Sequence, residues 1–211
     1  MISGVLYQLA EIGMTPDKLR EIYGEPSPRA AAKDITTFDK HCRQFIEHST
    51  FLVLATADGD NLDVSPKGDP AGFVEVESDT TLLIPDRQGN NRIDGLLNIL
   101  AHPKVALLFM IPSVSETLRV NGTAEILDDP QICNRFEMKN RVPKTVLRVT
   151  ATEIFTHCGK APLRSGLWQP ESWPAARPVA TLNEMLRDHA KMPVDSIEQA
   201  AVDKLYQDTL Y

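Results

Sequence analysis

Apolar and polar positions alternate along this chain in short blocks, and most blocks carry the period of a strand. Phe51-Leu52-Val53-Leu54-Ala55-Thr56 is a continuous apolar run. The hairpin signal Asp58-Gly59-Asp60-Asn61 closes it, and a return strand over residues 62–65 answers it. Pro66 marks that return strand as an edge or a bulge, because proline has no N–H to give to a ladder. Residues 73–76 and 80–84 form the next pair around the polar turn Glu77-Ser78-Asp79. The longest β-like runs are 104–111, 116–127 and 144–156; in the last, Val146, Arg148 and Thr150 alternate with Leu147 and Val149.

Helical spacing appears between and around these runs. Phe38, Cys42, Phe45 and Ile46 give residues 37–48 one apolar side, and Ile93, Leu96, Leu97 and Leu100 predict a short helix ending at His102-Pro103. Asp128-Asp129-Pro130 opens a helix over 130–138. Thr15-Pro16-Asp17 opens another, which Gly24-Glu25-Pro26 stops. Residues 181–189 and 193–206 read as closing helices. Hairpins in series with one small helical crossover predict a mainly β fold with peripheral helices (α+β), a closed or partly split antiparallel barrel. The organisation expected is an N-terminal helical arm (1–35), a barrel (36–168) and a C-terminal helical extension (169–211).

At 211 residues the chain is long enough for a real core. Its formal charge of -7 argues against a nucleic-acid backbone as partner, so any phosphate site must be a local cluster of basic groups. No apolar run approaches the roughly 20 residues that span a bilayer. No basic stretch followed by an apolar one opens the chain, and Cys42, Cys133 and Cys158 are too scattered for a disulfide framework. A cytoplasmic protein without a membrane partner is the expectation. His41-Cys42 and His157-Cys158 place adjacent side chains on opposite sides of an element, so each pair offers one metal ligand at most, and no metal site is expected.

Candidate chemistry concentrates between Leu82 and Glu125. The strand-like Leu82-Leu83-Ile84-Pro85 runs into Asp86-Arg87-Gln88-Gly89-Asn90-Asn91-Arg92 and then into the helix. Backbone N–H groups of a first helical turn point outward, arginine adds planar bidentate donors, and glycine lets a ligand approach the backbone closely. Such a turn can hold a phosphate; taken alone it is more often a solvated connection.

The run Arg87-x-Gly89-Asn90-Asn91-Arg92, Asn98, His102-Pro103-x-Val105 and Leu118-Arg119-Val120-Asn121-Gly122-Thr123-Ala124 resembles the flavin-binding family of pyridoxamine 5'-phosphate oxidase. Phe51–Thr56 and Val64-Ser65-Pro66-Lys67-Gly68 fit that family's first two strands, and the resemblance covers roughly residues 36–168. It implies an FMN-binding split β-barrel of Greek-key type and an oxidoreductase that works as a homodimer, with FMN in the groove between subunits. It assigns the phosphate to Arg87 and Arg92 in the turn around Gly89 and Asn91, assisted by Lys67, and the flavin ring edge to Val64, Ser65, Pro66 and Lys67. Thr117 and the segment of Lys160, Arg164 and Trp168, with i, i+4, i+8 spacing on one helical face, would reach across from the partner subunit.

Departures from the family pattern bear on the substrate. The authentic oxidases carry Arg-x-Val-x-Leu-Lys in the second strand, where this chain has Leu62-Asp63-Val64-Ser65-Pro66-Lys67 without the arginine. Nothing after Trp168 matches their Arg-Leu-His-Asp-Arg type segment, which holds the substrate phosphate. The resemblance therefore implies flavin binding without implying vitamin B6 oxidation. The alternative is a non-enzymatic flavin or haem carrier or sensor on the same barrel, with His102 or His157 as the axial ligand a haem would need; a deazaflavin is a third candidate ligand.

Overall fold

The computed structural model describes residues 13–191 and 199–211. These fall into two compact units that part between Asp34 and Ile35. The first contains α1 (Pro16–Tyr23) and α2 (Pro28–Ala31). Thr15 caps α1, accepting a bond from the Lys18 N–H at 3.1 Å, and Ser27 does the same for α2.

The second unit is built on one seven-stranded antiparallel sheet. Its strands are β1 (Phe51–Ala57), β2 (Leu62–Gly68), β3 (Glu75–Val76), β4 (Thr81–Asp86), β5 (Lys104–Met110), β6 (Thr117–Leu127) and β7 (Thr145–His157), in the order β2-β1-β5-β6-β7-β4-β3. The mainly β fold with peripheral helices is the one expected, a split barrel. Pro66 lies in the edge strand β2, where its missing N–H costs no ladder bond.

Register decides which side chains meet. Leu52, Leu54 and Thr56 of β1 stand opposite Lys67, Ser65 and Asp63 of β2, so these six share one face. Leu52 and Leu54 belong to the main core with Leu107, Phe109, Leu118, Val120 and Ile154. A second, smaller core of Leu83, Cys133, Phe136 and Val146 lies behind β4 and β7, which explains why Leu82, Leu83, Ile84 and Pro85 are all buried. Residues buried on both faces read as a continuous apolar run.

Helices α3 (Lys40–His48), α4 (Asp94–Ala101) and α5 (Pro130–Asn134) follow the predicted periodicities with shifted ends. Asp39 is the N-cap of α3, its carboxylate accepting from the N–H groups of His41 and Cys42, so the helix begins three residues later than expected. Cys42 is on the buried side of α3, and burial pushes its thiol up to about 11. Helix α5 stops at Asn134, not at 138, and the chain turns further on at Lys139 and Asn140, both left-handed. β3 keeps two of the four expected residues.

Helix α6 (Lys160–Ser165) ends at Gly166, left-handed at φ 63°. Trp168 is therefore beyond the helix and does not share a helical face with Lys160 and Arg164, correcting the expected i, i+4, i+8 stripe. Its indole Nε1 donates to the Val114 carbonyl at 2.9 Å instead. Helix α7 (Leu182–Ala190) opens with a capping box between Thr181 and Glu184, and α8 spans Gln199–Asp208. The opening of the helix expected over 193–206 lies outside the described residues up to 198. No helix among the described residues is long and apolar enough to cross a membrane.

Candidate functional site

The split in the barrel lies between β2 and β4, which share no backbone ladder. Side chains span it. Lys67 on β2 pairs with Asp86 at the end of β4 at 2.8 Å, and Asp69 just past β2 pairs with Arg87 just past β4 at 2.6 Å. A cavity of about 410 Å³ opens beside these bridges, lined by Ser65, Lys67, the loop 86–96, the segment 141–144 and Tyr211, among others.

Three local features shape the loop wall. The Asn90 side-chain oxygen accepts from the Arg92 N–H at 3.0 Å, tightening the turn. Asn91 and Ile93 are both left-handed, at φ 58° and 54°; for a β-branched residue such as Ile93 this is a strained conformation. Helix α4 then starts without a side-chain cap on its first turn, and Asp94, Gly95 and Leu96 line the cavity. Asn98 anchors α4 to β1 through a 3.1 Å bond to the Thr56 hydroxyl, which brings Gly95 against Asp63. A Cβ on Gly95 would fall 2.9 Å from an Asp63 carboxylate oxygen.

Arg87 is the most constrained cation of the site. Its Nε donates to Asp69, whose side chain is 1% exposed, and its Nη1 donates to the Phe136 carbonyl at 2.6 Å. The Tyr211 ring lies 5.7 Å from the guanidinium, and the Tyr211 hydroxyl donates to the other Asp69 oxygen. That bond pushes the Tyr211 phenol above its ordinary value. Arg92, in contrast, is 74% exposed on its side chain and pairs with Asp94 at 2.8 Å. The bond to Asp94 holds its guanidinium above the usual arginine range.

Of the residues expected at the site, Ser65, Lys67, Arg87, Gly89, Asn91 and Arg92 line this one cavity. Val64 and Pro66 occupy the same strand but point to the opposite face, where Val64 is 66% exposed. Thr117 pairs with His157 at the far end of β6, Lys160 and Arg164 are exposed on α6, and none of these or Trp168 lines the cavity of its own chain. Neither His102 nor His157 does so. Sequence reasoning passed over Arg141, Lys144 and Tyr211. The basic cluster Lys139-x-Arg141-x-x-Lys144 in an acidic chain was the available signal; for Tyr211 there was none.

The family profile for pyridoxamine 5'-phosphate oxidase matches residues 38–158, more than half of the chain. The chain belongs to that family. The match spans the strands and both walls of the split, and stops one residue beyond β7. No curated protein matches the sequence. Among solved structures, a candidate pyridoxamine 5'-phosphate oxidase from Lactobacillus delbrueckii is 25% identical, with TM-score 0.46 over 58% of this chain and 98% of that one. HupZ of Group A Streptococcus is 22% identical, with TM-score 0.45 over 56% and 92%. An FMN-binding protein from Syntrophomonas wolfei is 16% identical, with TM-score 0.42 over 55% and 83%.

Proposed function

We propose that this member of the pyridoxamine 5'-phosphate oxidase family binds FMN in the cavity between β2 and β4 and acts as a flavin-dependent oxidoreductase. The observation that carries the reading is the convergence, in one cavity, of six residues that the family pattern assigns to the cofactor. A volume of about 410 Å³ lies in the range of small-ligand and cofactor pockets, roughly 300–1,000 Å³. Gly89 has open space where a Cβ would stand, leaving its backbone accessible to a ligand.

The bound flavin would supply hydride or electron transfer, while the chain supplies position and electrostatics. Ser65 and the β2 backbone would face the ring; Lys67 and Arg92 would face the phosphate. Arg87, locked by Asp69 and Phe136, would hold the wall in place and lend its charge. Thr117, Lys160, Arg164 and Trp168 would belong to the site of the partner subunit in a homodimer. Support for that dimer is the outer face of the β2-β1 edge, where Leu62 is 84%, Val64 66% and Phe51 37% exposed.

A visible absorption spectrum of the purified full-length chain, with and without added FMN, tests this reading. Flavin bands that stay with the protein through gel filtration are expected. Their absence after loading with excess FMN would overturn the cofactor assignment, and an intense Soret band would favour a haem carrier.

A further inference from the structure

Tyr211 fills a socket whose parts are held by bonds that do not involve it. One oxygen of Asp69 accepts from Arg87 and the other from the Tyr211 hydroxyl. The Asp69 side chain is 1% exposed, and its backbone N–H donates to the Thr50 carbonyl at 3.1 Å. Arg87 is fixed a second time, through the Phe136 carbonyl. The Tyr211 ring centre lies 5.7 Å from the Arg87 guanidinium and 5.0 Å from the Lys139 ammonium, both within cation–π reach. Lys139 belongs to a tight turn in which Met138 and Arg141 exchange both backbone hydrogen bonds, at 3.0 and 2.9 Å.

The segment that delivers the tyrosine is held much less firmly. Thr209 and Leu210 carry the chain from α8 to Tyr211, and from Ala201 to Leu210 the one buried side chain is Val202. Leu205, Tyr206 and Leu210 are 56%, 47% and 55% exposed. An element with so little buried apolar surface opens locally at small cost. A rigid socket is thus occupied by a side chain on a loosely packed strap.

The socket is selective in its chemistry. The Asp69 oxygen that Tyr211 occupies accepts, so the group that meets it must donate; a carboxylate or phosphate would face it charge against charge. An ammonium would donate but would stand beside Arg87 and Lys139. A neutral hydroxyl on an aromatic ring satisfies the carboxylate and both cations. From this arrangement we infer that the socket is a subsite for the aromatic hydroxyl group of a substrate, and that Tyr211 is an intramolecular stand-in that withdraws before such a substrate enters. Tyr211 lines the same cavity as Ser65 and Lys67, so a phenolic substrate held there would stand beside the flavin. That placement rests on the proposed flavin site; the socket itself does not.

p-Cresol is the tyrosine side chain as a free molecule, and toluene is the same ring without the hydroxyl, so the two probe the socket directly. In the full chain Tyr211→Ala empties it. Thermal-shift titration of Y211A should give p-cresol an affinity roughly tenfold or more above that of toluene, the worth of one hydrogen bond to a charged acceptor. The wild type, with its socket filled, should gain no melting temperature from either. A second measurement needs no variant: in the wild type p-cresol should displace Tyr211 and speed amide hydrogen exchange over residues 199–211, and toluene should not. Equal responses to p-cresol and toluene in both measurements overturn the inference. Selective p-cresol binding by a chain that takes up no flavin removes the flavin reading and leaves the socket. Flavin binding without p-cresol selectivity does the reverse.

Discussion

At the scale of single residues, the two arginines that look alike in the sequence do different work. Arg92 and Asp94 form an exposed pair, which water screens and which contributes little to stability. Arg87 and Asp69 are mostly withdrawn from water, and Asp69 also accepts from the Tyr211 hydroxyl. Removing one partner of such a pair leaves a poorly hydrated charge, at a cost of about 3–5 kcal/mol. Asp69→Ala is expected to lower unfolding free energy in urea by about 3 kcal/mol, and Asp94→Ala to leave the unfolding midpoint nearly unchanged. Equal small effects would show that Arg87 is hydrated after all. The family resemblance marked Arg87, Arg92 and Lys67 as cations of one site, but their acidic partners were not legible. Asp69 and Asp86 lie 18 and 19 residues from the cations they meet, and only the fold brings them together.

At the scale of elements, periodicity found the core strands and failed mostly at their ends. The 51–57, 104–110 and 117–127 strands were legible because apolar alternation is continuous there and the turns between them are strongly marked. β2 runs on to Gly68, past Pro66, because an edge strand tolerates the missing N–H. The expected stripe from Lys160 to Trp168 overran the end of α6, which the left-handed Gly166 stops as its C-cap. One close approach governs the β6–β7 pairing. The register shifts between Asn121 and Gly122, and a Cβ on Gly122 would lie 2.1 Å from the Thr150 carbonyl oxygen. Gly122→Ala must push the strands apart, and overpacking of this kind costs about 1–3 kcal/mol. Urea unfolding of the variant should show a loss in that range or above it; an unchanged midpoint would mean that the bulge relaxes freely.

At the scale of the molecule, the sheet has one face closed over a core and another, along β2 and β1, that leaves Leu62, Val64 and Phe51 in water. The same register that turns Ser65 and Lys67 to the cavity turns Val64 and Pro66 outward. Cavity and apolar outer surface are thus two sides of one strand. An obligate dimer formed on this face would bury more than about 2,000 Å². Static light scattering at micromolar concentration should return twice the mass of 23.4 kDa, and Val64→Glu should return the single-chain mass. A wild-type monomer with flavin bound would remove the shared-site arrangement and leave Thr117, Lys160, Arg164 and Trp168 without a cofactor role.

The central claim is that the split between β2 and β4 holds a flavin by its phosphate as well as by its ring. Equilibrium titration of the apo-protein with FMN and with riboflavin, followed by flavin fluorescence, tests it most directly. The two ligands share the ring and ribityl chain and differ only in the phosphate. Charge-assisted hydrogen bonds contribute about 1.5–3 kcal/mol each, so even one lost bond separates the two affinities by roughly tenfold or more. FMN bound at least tenfold more tightly than riboflavin is the result expected. Equal affinities, or no binding of either at micromolar protein, would contradict the account.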